Sequence, residues 1–160
     1  MHRNRVNRTQ GAIHRPKRVK NEQLCLAAYI KIKDVQAYVL FDSGSTTDAV
    51  TPDFTRVAGL PANVLDDPVT LQLGCIGSRS KINYGTTTTF AVANIADKIY
   101  LDIVNLDKYD CILGTPFLRK YNVVLDFENM DIIIRGKRIP ALSEGEGVAT
   151  AKPSPRLGKT

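Results

Sequence analysis

The residues of this 160-residue chain best suited to chemistry stand where an apolar run, Val39-Leu40-Phe41, breaks into Asp42-Ser43-Gly44-Ser45. An ionised carboxylate is costly beside apolar neighbours unless donors satisfy it. At the mouth of a turn, backbone N–H groups can do so. Gly44 lets the backbone approach the carboxylate closely, and the hydroxyls of Ser43 and Ser45 can hydrogen-bond the loop in place. The arrangement suits a fixed, acceptor-rich carboxylate, the kind of group that serves as an acid, a base or a cation ligand. Asp-Ser-Gly-Ser is also ordinary turn composition, so these four residues by themselves read more readily as a plain turn than as a catalytic one.

Other chemistries find less support. A serine nucleophile at Ser43 or Ser45 needs a histidine base, and the only histidines, His2 and His14, lie in a basic N-terminal stretch. A magnesium-dependent nuclease could be assembled from Asp42, Asp48 and Asp53, but solvated turn and helix-start aspartates account for the same residues more simply. Cys25, Cys75 and Cys111 are odd in number and widely spaced, without a C-x-x-C pair. That pattern argues against a disulfide framework or a zinc site and for three small semi-buried thiols in a reducing compartment. No metal and no cofactor is expected.

The elements that must position Asp42 are strands. Leu24, Leu26, Ala28, Ile30 and Ile32 recur with period two from Glu22 onward, and a turn at Lys33-Asp34 leads to an inner strand over 35–41. Thr51-Pro52-Asp53 reads as a helix start with Thr as N-cap, and Gly59 as its stop. Val69–Leu73 and Lys81–Tyr84 form a hairpin with a glycine-bearing tip. Residues 86–92 and 99–104 form a second hairpin around a turn at 94–98. Cys111-Ile112-Leu113 is a short buried strand meeting Gly114. Thr115-Pro116 repeats the Thr-capped helix start, and 123–127 with 130–134 closes the domain as a hairpin. About eight strands and two short helices make a mainly β domain, in which apolar strand, glycine turn and Thr-Pro helix occur twice, near Asp42 and near Gly114.

Length allows one domain, and 43% hydrophobic with 24% charged residues argues against wholesale disorder. No apolar run approaches the roughly 20 residues needed to span a bilayer, and no apolar stretch follows the N-terminal charges as in a secretory signal. The net charge of +6 is unevenly placed: residues 1–20 hold seven basic groups and no acid, which leaves residues 21–140 slightly acidic. Any weak nucleic-acid contact would therefore come from residues 1–20 and not from the domain's face. The reading divides the chain into a basic flexible segment 1–21, a domain 22–142 and a flexible linker 143–160 rich in Gly, Ser, Glu and Pro.

Val39-Leu40-Phe41-Asp42-Ser43-Gly44-Ser45-Thr46 resembles the hydrophobic-Asp-Thr/Ser-Gly-Ala/Ser/Thr signature of retropepsin-like aspartic proteases, and Cys111-Ile112-Leu113-Gly114 resembles that family's second, hydrophobic-hydrophobic-Gly element. Tyr109 to Phe127 looks especially like the protease region of gypsy-type LTR retrotransposon polyproteins. The resemblance implies a closed β-barrel half-lobe with one or two short helices, active as a homodimer whose two Asp42 side chains share a proton. A chain with a single Asp-Ser-Gly motif then needs a second copy.

By the same resemblance, Ser43 would bond across the dimer axis, Gly44 N–H would serve the carboxylate and Ser45 would support the loop. Ile112, Leu113 and Gly114 would pack beside it, and Cys75, Ile76, Gly77 and Ser78 would form a flap over an extended peptide. The expected activity is endopeptidase processing of a retroelement polyprotein, in the cytoplasm or inside virus-like particles. The alternative is a catalytically silent retropepsin-fold module for dimerisation or peptide binding, with a basic nucleic-acid-binding tail.

Overall fold

Lys33 and Asp34 take φ values of 49° and 65°, a two-residue turn whose twist matches the strands it joins, β1 (Ala27–Ile32) and β2 (Val35–Phe41). In the computed structural model, which describes residues 7, 8, 10–73 and 78–142, these are followed by β3 (Ala49–Val50), α1 (Pro52–Ala58), β4 (Asn63–Leu73), β5 (Ser78–Val92) and β6 (Ile95–Ile103). Then come β7 (Cys111–Leu113), α2 (Thr115–Lys120), β8 (Val124–Asp126), β9 (Asp131–Ile134) and β10 (Lys137–Pro140).

The large sheet runs β1-β2-β7-β3-β6-β5-β4, and β1 also pairs with β5. Six strands therefore close into a barrel, with β4 attached outside on β5. Two of the ladders, β2 with β7 and β3 with β6, are parallel. β8, β9 and β10 form a separate three-stranded sheet. This is the mainly β, retropepsin-like barrel with two short helices that the motifs imply.

Alternation fills the barrel. Ala28, Ile30 and Ile32 of β1, Ala37, Val39 and Phe41 of β2, Phe90 and Val92 of β5 and Leu101 of β6 all belong to one buried cluster. α2 closes it through rings: Phe117 stands 6.3 Å from Phe41, 5.4 Å from Phe90 and 4.7 Å from Tyr121 between centroids. The first two are edge-to-face pairs, which add about 0.5–1.5 kcal/mol each beyond the area they bury, and the third is tilted. The small sheet contributes Ile132 and Ile134 to the same core. Arg135 at its β9–β10 turn lies over the Tyr121 ring and donates its N–H to the Tyr121 carbonyl.

Several boundaries differ from the periodic reading. β1 begins at Ala27, opposite Leu40 and behind a single 3-10 turn at Lys20–Gln23, although the Leu26 carbonyl still accepts from Phe41 N–H. β5 is one strand where two were expected: Gly85 disturbs the alternation but still pairs with Asn63 on one side and Asp102 on the other. The turn after β5 is tight, at Ala93-Asn94, so β6 starts at Ile95. β3 and β10 go beyond the eight strands expected. A two-residue strand carries no period, and β10 alternates too weakly to read.

The expected linker 143–160, Cys75, Ile76 and Gly77 of the expected flap, and residues 1–6 and 9 of the basic segment lie outside the described residues. Among the described residues no helix is long and apolar enough to cross a membrane.

Candidate active site

Asp42 leaves the end of β2 at the point where the parallel β2–β7 ladder ends, so its backbone is fixed by the strand beside it: Asp42 N–H donates to the Leu113 carbonyl at 3.0 Å. The chain then turns, with Ser45 N–H donating to the Asp42 carbonyl at 3.1 Å. Within that turn Gly44 N–H donates to Asp42 Oδ1 at 2.8 Å. The second carboxylate oxygen, Oδ2, is buried and has no hydrogen-bond partner among the described residues. Asp42 itself is half-buried, and Ser43 and Gly44 are exposed at the rim.

Ser45 points the other way. It is fully buried, and its Oγ donates to the Thr47 carbonyl at 2.7 Å while accepting from Thr47 N–H at 3.3 Å. Its own carbonyl accepts from Thr115 N–H at 2.9 Å, which binds the loop to the start of α2. Between these segments sits Gly114. A Cβ there would lie 2.4 Å from both the Ser45 and the Thr47 carbonyl oxygens, so only glycine allows this approach. Ile112 and Leu113 are buried in β7 directly beside β2. Asp42, Ser43, Gly44, Ser45, Ile112, Leu113 and Gly114 thus converge on one corner of the barrel. Cys75, Ile76 and Gly77 lie outside the described residues, and Ser78 opens β5 opposite Leu73.

The helix start at Thr115 corrects the sequence reading. Gly114, not Thr115, is the N-cap of α2, and no side chain of its own caps it. The N–H of Thr115 is committed to Ser45, and the close packing leaves Gly114 as the residue that fits the cap position. Acceptors for the first turn come instead from Asp48: its Oδ1 accepts from Gly114 N–H at 2.7 Å, and the Phe117 N–H also reaches its carboxylate.

Asp48 is therefore no solvated turn aspartate. It is 8% exposed. Burial, the largest influence, pushes its carboxyl up to about 6; the two N–H donors pull the other way, and the nearby Asp102 charge adds to the rise. Asp53, by contrast, is exposed and pairs with Arg56 on α1.

Two further residues belong to the site's support and carried no motif. Asp102 on β6 accepts from Thr47 Oγ1 at 2.5 Å and from Tyr100 OH at 2.6 Å, and burial with this bond raises the Tyr100 hydroxyl well above its ordinary pKa. Asp110 exchanges two bonds with Tyr38, its N–H donating to the Tyr38 carbonyl and its carboxylate accepting from Tyr38 N–H, both 2.9 Å, and its carbonyl accepts from Thr51 N–H. Their one sequence signal is an acid inside an apolar run, Leu101-Asp102-Ile103 and Asp110-Cys111-Ile112. Buried acids of this kind need donors, and here they have them. Cys111 is fully buried, and desolvation holds its thiol well above the usual range, so it is neutral. Among the described residues, no three His, Cys, Asp or Glu side chains gather in a way that could hold a metal ion.

Comparison with known structures places this architecture. The retroviral protease-like domain of Ddi1 from Leishmania major superposes with a TM-score of 0.59 at 16% identity, over 77% of this chain and 97% of that one. EIAV protease in complex with the inhibitor HBY-793 superposes with a TM-score of 0.52 at 18% identity, over 68% and 98% respectively. At these identities the likeness is one of fold. No curated protein matches the sequence. The family model of the PEG10/RTL1 protease domain matches residues 38–140, from within β2 to the end of β10, and the chain belongs to that retropepsin-like, gypsy-derived family.

Proposed function

We propose that the chain is an aspartic endopeptidase whose active site is completed by a second copy, with the two Asp42 carboxylates meeting on the two-fold axis. One observation carries the reading: Asp42 has one oxygen held by Gly44 N–H and the other buried without a partner among the described residues. A buried, unpaired acceptor costs about 1–3 kcal/mol, a cost that a shared proton from a twin carboxylate removes. Two carboxylates so close cannot both ionise, so one is the acid and the other the base.

The ionised carboxylate takes a proton from a water molecule as that water's oxygen attacks the peptide carbonyl. The protonated one gives its proton to the carbonyl oxygen, and a proton returned to the amide nitrogen lets the C–N bond break. In this reading Ser43 bonds across the axis, Ser45 and Gly114 hold the loop, and the β4–β5 hairpin with Cys75 to Ser78 folds over an extended peptide. The substrate is a retroelement polyprotein, met in the cytoplasm or in a virus-like particle, and residues 1–20 add weak contact with nucleic acid.

Asp42→Asn is the test. It keeps shape and hydrogen-bonding capacity but cannot share a proton. Peptide cleavage is expected to fall at least about 10³-fold while the sedimentation behaviour and thermal unfolding stay as in the parent chain. Cleavage that survives the change removes the assignment. A parent chain that dimerises and binds peptide without cutting it is the silent module.

A further inference from the structure

The reaction proposed above has no use for the second acid of the loop. Asp48 nevertheless fastens four segments at one point. Its carboxylate holds Gly114 N–H at 2.7 Å and reaches Phe117 N–H, and its carbonyl accepts from Asp102 N–H of β6 at 2.9 Å. Its own chain runs back through Thr47 and Ser45 to Asp42. The turn it grips is the turn that orients Asp42: Leu113, one residue before Gly114, accepts from Asp42 N–H, and Thr115, one residue after, donates to Ser45. Any shift of Gly114 therefore moves the backbone on which the Asp42 carboxylate is mounted.

We propose that Asp48 is a positioning residue for Asp42, a buried carboxylate that reaches across the fold to fix the β7–α2 turn and, through it, the amide that aims Asp42. The inference rests on the proteolytic reading of Asp42. Asp48 can do this because it substitutes for the side chain that the N-cap of α2 lacks. A negative group also suits the positive end of a helix.

The clamp has a pH dependence whose sign follows from its neighbours. Facing Asp48 are Asp102 from β6, itself bonded to Thr47 and Tyr100; Cys111 from β7, neutral; and Tyr121 after α2, whose pKa burial and a bond to Asp97 raise, so that it is neutral too. Lys98 and Lys120 line the same cavity of about 240 Å³ and form no ion pair with Asp48 among the described residues. A proton on Asp48 relieves both its burial and its repulsion with Asp102, and one oxygen remains to accept from Gly114. With a folded-state pKa of about 6 against the ordinary 3.8, the native chain binds more protons than the unfolded one between those values. Stability from this group is full in acid and declines as pH rises through about 6.

The experiment compares the full chain with Asp48→Asn, Asp48→Ala and Asp42→Asn. The first readout needs no cleavage: the ¹⁵N–¹H resonance of Gly114 is followed from about pH 4 to about pH 8. It is expected to titrate with a midpoint near 6 in the parent chain and in Asp42→Asn, and to lose that step in Asp48→Asn. A Gly114 amide that does not titrate, or that still titrates in Asp48→Asn, overturns the inference whatever the activity.

The second readout is kcat and KM against pH. Asp48→Asn, which keeps an acceptor, is expected to hold kcat within a few-fold of the parent and to lose the inflection near pH 6. Asp48→Ala is expected to lower kcat about 100-fold with KM little changed. If the alanine variant does not fold, the asparagine profile decides. An unchanged kcat and pH profile in a folded Asp48→Ala overturns the inference. A parent chain that cuts nothing while Gly114 titrates removes the proteolytic reading and leaves the clamp standing.

Discussion

The chain builds strand, turn and Thr-Pro helix twice, and the two copies are finished in different ways. In the first, α1 supplies its own ends. Thr51 Oγ1 accepts from Phe54 N–H at 3.1 Å, Pro52 opens the first turn, and Gly59 with φ 70° lets Leu60 N–H return to the Thr55 carbonyl. In the second, α2 begins at a glycine with no side chain to give, and the missing acceptors come from Asp48 of the first copy. The first half caps its own helix and carries the exposed rim at Ser43 and Gly44. The second borrows its helix cap from the first, and in return its Leu113 carbonyl and Thr115 N–H hold the Asp42 loop. Similar local sequences thus yield one exposed rim and one buried wall, and the difference lies in where the helix ends find their partners.

The comparison can be broken first at the wall. Gly114→Ala pushes a methyl group into two backbone carbonyls that cannot swing aside, and a loss of about 3 kcal/mol or more, measured by urea unfolding, is expected. Near-parent stability would mean that the two copies are not packed as described. Next is the self-made cap: Thr51→Ala removes an acceptor that α1 depends on, for an expected loss of about 1 kcal/mol in the same measurement. The smallest effect sharpens the contrast most. Thr115→Ala alters the look-alike residue of the second copy, whose side chain caps nothing, and a change within about 0.5 kcal/mol is expected. Equal losses at Thr51 and Thr115 would restore the symmetry that the sequence suggests.

That pair also marks what could be read from residue order alone. Thr51-Pro52 and Thr115-Pro116 are the same dipeptide, and the rule for a cap applies to both. It holds at Thr51 because the capping bond itself, from Phe54 N–H to Thr51 Oγ1, spans only three residues. It fails at Thr115 because Ser45 and Asp48, brought in by the parallel β2–β7 ladder, claim the same backbone groups first. The strand–Asp–glycine turn and the apolar strand before Gly114 were legible, since each is a local pattern with a local cause. Asp48 was not. Flanked by Thr47 and Ala49 it reads as a wet turn residue, and only a partner 66 positions away buries it. β3 was hidden for the same reason: two residues become a strand only because β6 and β7 flank them.

The bond from Asp42 N–H to the Leu113 carbonyl has a consequence in time as well as in space. A chain is synthesised from its N-terminus at about 5–20 residues per second, so the Asp-Ser-Gly loop leaves the ribosome seconds before the strand that shapes it. Non-local pairings of this sort also form slowly. A nascent or truncated copy that ends before Leu113 has the acid and lacks the carbonyl that fixes its backbone, so the loop takes its shape only once most of the domain has been made.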